Sequence, residues 1–312
     1  MYYIGVDLGG TNIAAGVVNS DFEIVKKGSV PTNAAREPDE IIKDMAELCK
    51  KLVSDADLTL DDIEYVGIST PGTANSKTGV VEYANNLPFL RYPIADKLSS
   101  MLGVSKVYIE NDANAAAKAE AMAGVAKGAQ YSVMITLGTG LGGGIVIDNK
   151  VYSGFNFAGA ELGHIVIEKD GRQCTCGRKG CWEAYSSATA LIRMAHEEAA
   201  LHTDSLIHKR GDELNAKDVF DFAESGDAAA QEALQKYYRY LIIGLANTIN
   251  VFQPEYLIIG GGPSAQGDKL LNPVVEGVKS EVFASNLVTK VVIAELGNDA
   301  GVIGAAMLGR NA

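Results

Sequence analysis

Three of the four cysteines in this chain lie close together, at positions 174, 176 and 181. Their spacing is Cys-x-Cys-x4-Cys, and His164 precedes the first of them by ten residues. Three thiolates and one imidazole make the Cys3His donor set of a structural, tetrahedral Zn²⁺ site. A nucleophilic cysteine is disfavoured because no second histidine lies nearby, and a disulfide is disfavoured in a reducing compartment. The segment is therefore predicted to bind zinc through His164, Cys174, Cys176 and Cys181.

The segment YIENDANAAA places Asn111 and Asp112 where an apolar strand pattern changes to an alanine-rich helix pattern. One interpretation is helix capping, for which Asn and Asp are favoured residues. The other is catalytic, because a carboxylate at a strand end can accept the proton of an attacking hydroxyl during phosphoryl transfer. Glu161 and Glu183 bracket the cysteine segment. Together with Asn111 and Asp112 they would form a polar pocket for several hydroxyls, which predicts a sugar.

Two glycine-rich turns each join a pair of apolar segments. The first is Gly9-Gly10-Thr11-Asn12 and the second is Gly138-Thr139-Gly140. Each could be an ordinary β-hairpin, but glycines also let backbone N–H groups approach and bind a phosphate. Neither turn is a Walker loop, because the Gly-Lys-Ser/Thr sequence is missing and a strand follows instead of a helix. With a third glycine turn at residues 260–263, they predict ATP held between two domains.

Strand patterns alternate with helix patterns along the chain, which predicts an α/β fold. The two glycine turns align at an offset of 129 residues, with Asp7 over Thr136, and this predicts an internal duplication. Helices are predicted over residues 38–56, over an alanine-rich segment ending near Gly128, and over residues 227–253, where Pro254 stops the helix. The predicted domains are residues 1–117 with the C-terminal helix 299–312, and residues 118–298 with the zinc segment and most of the ATP site.

The charge and the N-terminus exclude several classes of protein. The net charge is −12 and the isoelectric point is about 4.9, so nothing general would neutralise nucleic-acid phosphates or an anionic membrane. The N-terminus enters a strand pattern without a basic leader, and no apolar run is long enough to span a bilayer. We therefore expect a cytoplasmic protein without nucleic-acid or membrane partners.

Six motifs in this chain together resemble the ROK family, the bacterial sugar kinases and sugar-responsive repressors of the actin/hexokinase superfamily. They are DLGGTN (7–12), STPG (69–72), ENDANA (110–115), LGTGLGGG (137–144), ExGH (161–164) and CxCGxxGCxE (174–183). The resemblance covers essentially the whole chain, and the last two motifs at this spacing are very specific. It implies an α/β fold of two duplicated actin/hexokinase-like (ribonuclease H-like) domains with a cleft between them.

The resemblance also implies a role for each site residue. Asp112 would be the general base that deprotonates the 6-hydroxyl of the sugar. The residues that would hold the sugar are Gly72, Asn85, Asn111, Asp112, Glu161, His164 and Glu183. Asp7 would organise Mg²⁺, and ATP would contact Gly9, Gly10, Thr11, Asn12, Gly138, Thr139, Gly140, Gly261 and Gly262. His164 would bind zinc through one ring nitrogen and a sugar hydroxyl through the other, so that the structural zinc braces the sugar pocket.

The implied activity is that of an ATP-dependent hexose kinase, with glucose the favoured substrate and a homodimer the expected assembly. An N-acetylmannosamine kinase or a fructokinase of the same family is the alternative. A sugar-sensing repressor is disfavoured, because such regulators carry a DNA-binding domain ahead of the first strand and few residues precede Asp7 here. A sugar-binding module without activity is disfavoured because Asp112 is retained.

Overall fold

The computed structural model describes residues 1–84, 86–285 and 287–311, which form two compact units. Unit 1 comprises residues 1–128, 144–160 and 295–312, and unit 2 comprises residues 129–143 and 161–294. The predicted domain division after residue 117 stays a prediction, because units defined by contacts need not coincide with the duplicated halves of a sequence. Asn85, one of the predicted sugar contacts, lies outside the described residues.

Strands and helices alternate in both units. The strands are β1 Tyr2–Leu8, β2 Asn12–Asn19, β3 Ile24–Pro31, β4 Ile63–Thr70, β5 Thr73–Asn75, β6 Val80–Tyr83, β7 Leu90–Tyr92, β8 Val107–Asn111, β9 Ser132–Leu137, β10 Leu141–Ile147, β11 Lys150–Val151, β12 Tyr256–Gly261 and β13 Lys290–Ile293. The helices are α1 Pro38–Asp55, α2 Ile94–Leu102, α3 Asp112–Met122, α4 Glu183–Ser186, α5 Ala188–Ala199, α6 Ala216–Glu224, α7 Ala228–Phe252, α8 Asp268–Glu281 and α9 Ala300–Ala306. In the described part of the chain, no helix is both long and apolar enough to cross a membrane.

The main sheet of unit 1 has the strand order β3-β2-β1-β4-β8. The predicted hairpin is present, with β1 and β2 antiparallel up to the pair Leu8–Ile13. β4 and β8 continue the sheet in parallel, so Asp7 pairs with Ser69 and Thr70 pairs with Asn111. Carboxyl ends of parallel strands meet at one edge of a sheet, which is where ligands bind in such folds. This edge therefore collects the polar residues of the DLGGTN, STPG and ENDANA motifs.

Helix α9 packs closely on this sheet because the strands below it carry glycine. A Cβ atom on Gly5 would lie 1.9 Å from the backbone oxygen of Val302, and one on Gly67 would lie 1.8 Å from that of Ala305. The neighbouring helix α3 approaches just as closely, since a Cβ on Gly304 would lie 2.0 Å from the Ala115 oxygen. The small residues of the C-terminal helix are thus a packing requirement.

The sheet around β9 has the order β11-β10-β9-β12-β13, which repeats the first sheet position by position. β12 lies parallel to β9, with Gly261 paired to Leu137, and parallel to β13. Two sheets with the same order support the internal duplication inferred from the glycine turns. The predicted long helix is α7, which ends at Phe252; Gln253 then takes a left-handed conformation before Pro254.

The alanine-rich helix is shorter than predicted. It was expected to end near Gly128, but α3 ends at Met122. Its buried Glu120 accepts a hydrogen bond at Oε2 from the Val125 N–H, over 3.0 Å, and this turns the chain away from the helix axis. A Cβ on Gly124 would lie 2.0 Å from the same oxygen. The helix therefore ends through a side-chain contact that residue periodicity does not reveal.

Candidate functional site

In unit 1, Asp7 lies at the end of β1, beside the end of β4. Its Oδ1 accepts a hydrogen bond of 2.8 Å from Ser69 Oγ. Gly301, at the start of α9, leaves room for the carboxylate, because a Cβ there would lie 2.5 Å from it. Burial raises the pKa of Asp7; the Ser69 hydrogen bond opposes this, and the charge of Asp112 raises the pKa further. Ser69 thus positions the Asp7 carboxylate, a role that the sequence analysis did not give to this residue of the STPG motif.

The first glycine turn is closed by its own backbone and braced from the next strand. The Gly9 N–H donates to the Asn12 oxygen over 2.9 Å. Thr32, which is fully buried, donates through Oγ1 to the Gly9 oxygen over 2.7 Å, and its N–H donates to the Thr11 oxygen over 2.8 Å. A Cβ on Gly10 would lie 2.8 Å from Asn86 Nδ2. Thr32 is a second residue that the sequence analysis missed, because it lies outside the turn it braces.

Asn111 joins the two candidate sugar-binding segments of unit 1. Its Nδ2 donates to the Gly72 oxygen over 3.1 Å, and its Oδ1 accepts from the N–H groups of Ala113 and Asn114. Gly72 has φ +86°, and a Cβ there would lie 2.1 Å from the Tyr83 oxygen. Asn111 is therefore the N-cap of α3, as the capping interpretation predicted. The side-chain amide of Asn111 also holds the STPG turn close to Asp112, the next residue in the chain.

Asp112 is the first residue of α3, and its Oδ1 accepts a hydrogen bond of 2.8 Å from the Ala113 N–H. Its side chain keeps an exposed surface. Surrounding protein atoms still displace water and raise its pKa, while the Ala113 N–H and the Asn111 side chain act in the opposite direction. The exposed surface limits this effect, because solvent screens the charge. Asp112 is thus a positioned carboxylate that can accept a proton.

In unit 2, the second and third glycine turns lie side by side. The Gly138 N–H donates to the Gly140 oxygen over 2.9 Å and closes the turn after β9. Leu137 pairs with Gly261, so residues 261–262 follow β12 at the same edge of the sheet. Gly261 has φ +87°, and a Cβ there would lie 2.1 Å from the Leu137 oxygen. The two predicted nucleotide-binding turns are therefore brought together, whereas Thr139 is exposed at the tip of its turn.

Glu183 connects the second glycine turn to the cysteine segment. Its Oε2 accepts a hydrogen bond of 2.9 Å from the Leu141 N–H, and its Oε1 accepts one of 3.2 Å from Thr175 Oγ1. A Cβ on Gly140 would lie 2.4 Å from Oε2, so the turn needs glycine here. Both carboxylate oxygens thus have protein partners. The predicted contact of Glu183 with the sugar stays a prediction.

The four predicted zinc ligands form one cluster. The ligand atoms of His164, Cys174, Cys176 and Cys181 all lie within 4.8 Å of one another. His164 Nδ1 is 3.6 Å from Cys174 Sγ, and the sulfurs of Cys176 and Cys181 are 3.7 Å apart. The cysteines are not disulfide-bonded. This donor set could hold a metal ion.

The thiols differ in acidity in the absence of a metal. Burial raises the pKa of Cys174, and burial together with the neighbouring thiols raises the pKa of Cys181 to about 12. Burial also acts to raise the pKa of Cys176, but the backbone hydrogen bond from Arg178 and the other two thiols outweigh it and lower the pKa. Metals bind thiolates, so metal binding here would release protons and would weaken as the pH falls.

Trp182 anchors the cysteine segment to the helices of unit 2. Its ring is buried against α7, where a Cβ on Gly244 would lie 1.9 Å from the ring. The backbone N–H of Trp182 donates to the Ile165 oxygen over 2.8 Å. This hydrogen bond holds the start of the cysteine segment, at Ile165, next to its end, at Trp182. Glu161 precedes it and is exposed, and its backbone oxygen accepts from the His164 N–H over 3.1 Å.

Known proteins resemble this chain over its whole length. The ROK family sequence model matches residues 3–312. A glucokinase from Thermotoga maritima is 38% identical over 310 residues, which is 98% of this chain and 96% of that protein. A ROK family glucokinase from Streptomyces griseus, solved with glucose and AMPPNP, has a TM-score of 0.86 and 35% identity, with 100% of both chains covered. A ROK hexokinase from Thermus thermophilus has a TM-score of 0.84 and 31% identity, covering 100% of this chain and 98% of that one. These likenesses confirm the predicted fold class.

Proposed function

The chain belongs to the ROK family, and we propose that it is an ATP-dependent hexose kinase that phosphorylates the 6-hydroxyl of glucose. The observation that carries the proposal is the placement of Asp112. The cap residue Asn111 is bonded to Gly72, and the next residue presents a carboxylate whose side chain remains exposed. The glucokinases of similar sequence and structure support glucose as the substrate and ATP as the donor.

In the proposed reaction, Asp112 accepts the proton of the 6-hydroxyl as its oxygen attacks the γ-phosphorus of ATP, and ADP leaves. A base works best when its pKa lies near the working pH but still leaves it ionised. The raised pKa of Asp112 moves it in that direction. The hydrogen bond from the Ala113 N–H holds one carboxylate oxygen and thereby orients the other. Asn111 and Gly72 would hold the sugar on one side of this base.

The glycine turns are proposed to bind the nucleotide through backbone N–H groups. Residues 9–12 and residues 138–140 would take the phosphates, and Gly261 with Gly262 would take the adenosine. Asp7 fits a Mg²⁺ ion that accompanies ATP, because it offers a carboxylate oxygen, the ligand type this cation prefers. When bound, Mg²⁺ would neutralise charge on the phosphates. Ser69 and Gly301 keep the Asp7 carboxylate in place and leave it room.

The cysteine segment is proposed to hold a structural zinc ion. Around a tetrahedral Zn²⁺ with bonds of about 2.3 Å to sulfur and about 2.0 Å to nitrogen, two thiolates lie roughly 3.8 Å apart, and a thiolate lies roughly 3.5 Å from an imidazole nitrogen. The corresponding separations are 3.7 Å and 3.6 Å, which fits this geometry. Because Nδ1 of His164 faces the thiols, its Nε2 is the nitrogen left for a sugar hydroxyl. Glu161 and Glu183 would complete the sugar contacts.

A panel of sugars with ATP tests the proposal. The purified chain is assayed for ADP release with glucose, mannose, fructose, N-acetylglucosamine and N-acetylmannosamine. We expect the highest kcat/KM with glucose; activity on none of the five would refute the kinase proposal, and a preference for N-acetylmannosamine or fructose would refute the choice of sugar. Light scattering during size exclusion would test the expected homodimer.

Asp112→Asn tests the base directly. It keeps the shape of the side chain and the acceptor for the Ala113 N–H, but it cannot accept the proton. Removal of a general base lowers kcat by roughly 10²- to 10⁴-fold. Asp61→Asn is the matched control, because Asp61 is an exposed carboxylate on a short 3-10 helix. Glucose binding to Asp112→Asn should remain measurable by calorimetry; turnover near the wild-type rate would contradict the assignment.

A further inference from the structure

Unit 1 contains a cavity of about 260 Å³ on the side of the sheet edge where β8 meets α3. Its polar lining residues are Ser76, Tyr108, Glu110, Lys118, Asn149 and Lys150. The volume is far above the roughly 10–15 Å³ that one water requires, and just below the usual range of drug-sized ligand pockets, about 300–1,000 Å³. The cavity therefore has room for a small molecule.

Lys118 is the unusual residue of this cavity. It projects from α3, its side chain is only 8% exposed, and it lines the cavity. Among the residues that the structure describes, none forms a hydrogen bond or a close ion pair with its ammonium group. Buried lysines are rare unless they are paired, because removing the charge from water is unfavourable. The three N–H donors of the ammonium thus lack a protein partner.

Glu110 does not fill this role, because its oxygens bond other groups and form no close ion pair with the Lys118 ammonium. Oε1 accepts from the Asn111 N–H over 2.9 Å and from Asn114 Nδ2 over 3.1 Å, and Oε2 accepts from Ser153 Oγ over 3.1 Å. Its charge still acts on Lys118 at a distance, raising a lysine pKa that burial lowers. The carboxylate supports the ammonium without coordinating it.

The remaining lining groups are suited to an anion. Lys150 adds a second cationic side chain, so the two lysines outnumber the single carboxylate. The hydroxyls of Ser76 and Tyr108 and the amide of Asn149 supply neutral donors. Hydrogen bonds from an ammonium to an ionised oxygen are among the strongest in proteins.

We propose that this cavity is a binding site for a small oxyanion, a phosphate or carboxylate group on a compact molecule, with Lys118 as the principal ligand. The occupant supplies the hydrogen-bond acceptors that Lys118 lacks. The cavity shares no lining residue with the glycine turns and does not depend on the proposed kinase activity. Glu110 lines the cavity and also accepts a hydrogen bond from the Asn111 N–H. Glu110 would therefore connect the occupant to the segment that carries Asp112.

Calorimetric titration tests this site with inorganic phosphate, and with malonate as the carboxylate probe. AMPPNP with Mg²⁺ is kept saturating, so that phosphate cannot occupy the nucleotide turns. We expect binding to the wild-type chain and at least tenfold weaker binding to Lys118→Met. Lys50→Met is the matched control, because Lys50 is exposed on α1, and it should bind as the wild type does. Phosphate binding alone would identify the ligand group as a phosphate, and malonate binding alone as a carboxylate.

Crystals of the wild-type chain soaked in selenate provide a second measurement that needs no variant. An anomalous peak next to the Lys118 ammonium would support the site even if Lys118→Met did not fold. Two results would overturn the proposal. One is equal binding of both probes to the wild type and to Lys118→Met; the other is a soaked crystal without an anomalous peak in the cavity.

Discussion

Replacing Cys176 with alanine tests whether the cysteine segment holds a metal that braces the sugar pocket. Cys176 is the suitable target because its side chain is exposed, whereas Cys174 and Cys181 are buried. Its removal therefore opens no cavity in the core of unit 2. With one thiolate missing, the tetrahedral donor set is incomplete, and we expect the purified variant to lose its zinc.

The size of the functional effect follows from the contacts that the segment supports. Between Glu161 and Trp182 the backbone is held by a short 3-10 helix and by two isolated bridges, Val166–Cys181 and Gln173–Lys179. Without the metal, His164 loses its fixed ring orientation, and Glu183 loses a rigid partner in Thr175. The two proposed sugar contacts, at about 0.5–1.5 kcal/mol each, would together give about 1–3 kcal/mol. At 1.36 kcal/mol per tenfold change, the KM for glucose should rise roughly 5- to 160-fold.

The KM for ATP should change much less. The turns at residues 138–140 and 261–262 are positioned by the parallel pairing of β9 with β12, which does not involve the cysteine segment. The hydrogen bond from the Leu141 N–H to Glu183 and the close packing of Gly163 on Leu141 connect the segment to the strand that follows the 138–140 turn. A selective effect on the sugar separates a local brace from a general loss of folding.

Metal content is measured by mass spectrometry of the digested protein, and both KM values by coupled assay. Cys49→Ala is the control, because Cys49 is buried in unit 1 on α1 and should leave the zinc content unchanged. The brace hypothesis is wrong if Cys176→Ala retains one zinc per chain. It is equally wrong if the variant is free of zinc and its KM for glucose stays within twofold of the wild-type value.

Three further predictions concern unit 1. Because the pKa of Asp112 is raised and the base must be ionised, kcat/KM should fall as the pH falls through a value above the ordinary 3.8, and a profile that stays flat down to pH 4 would contradict this. Thr32→Val keeps the buried shape but loses the bond to the Gly9 oxygen, so the KM for ATP should rise about 2- to 12-fold, the equivalent of 0.5–1.5 kcal/mol, with the KM for glucose unchanged. Gly67→Ala should lower the free energy of unfolding by about 3 kcal/mol, which is the upper end of the usual cost of overpacking. The reason is that the new Cβ would lie 1.8 Å from the Ala305 oxygen. An unchanged midpoint of urea unfolding would contradict this prediction.

Local patterns in the sequence predicted most of the fold. The glycine turns predicted both hairpins because a tight connection between apolar runs leaves few other conformations. The segment ending at Asn111 predicted the change from strand to helix because Asn is a strong N-cap, and the structure confirms the cap. The spacing of the cysteines and His164 predicted that their ligand atoms would converge, which the structure also confirms.

Contacts between distant segments could not be predicted in this way. Thr32 braces a turn from a position 23 residues away, and Ser69 bonds Asp7 from the neighbouring strand, so only the strand order reveals them. The end of α3 was missed because Glu120 turns the chain through its side chain. From the sequence alone, a lysine in an alanine-rich helix such as Lys118 is expected to be exposed. Its burial results from the packing of α3, which the sequence pattern does not show.

The electrostatics of unit 1 connect its stability to its proposed chemistry. Asp7 lies at the end of β1, and Asp112 begins α3. Protein atoms that displace water raise the pKa of both carboxylates, and the charge of Asp112 adds to the increase at Asp7. A carboxylate whose pKa is raised by folding lowers the free energy of unfolding at neutral pH, where it is ionised. An exposed carboxylate with an ordinary pKa would not have this effect. A cation near Asp7, or the proton that Asp112 accepts, removes part of this repulsion. If Asp7 holds Mg²⁺ and Asp112 is the base, as proposed, the arrangement that weakens the free fold would favour Mg²⁺–ATP binding and proton transfer from the sugar. Nucleotide with magnesium should then stabilise the wild-type fold more than nucleotide alone.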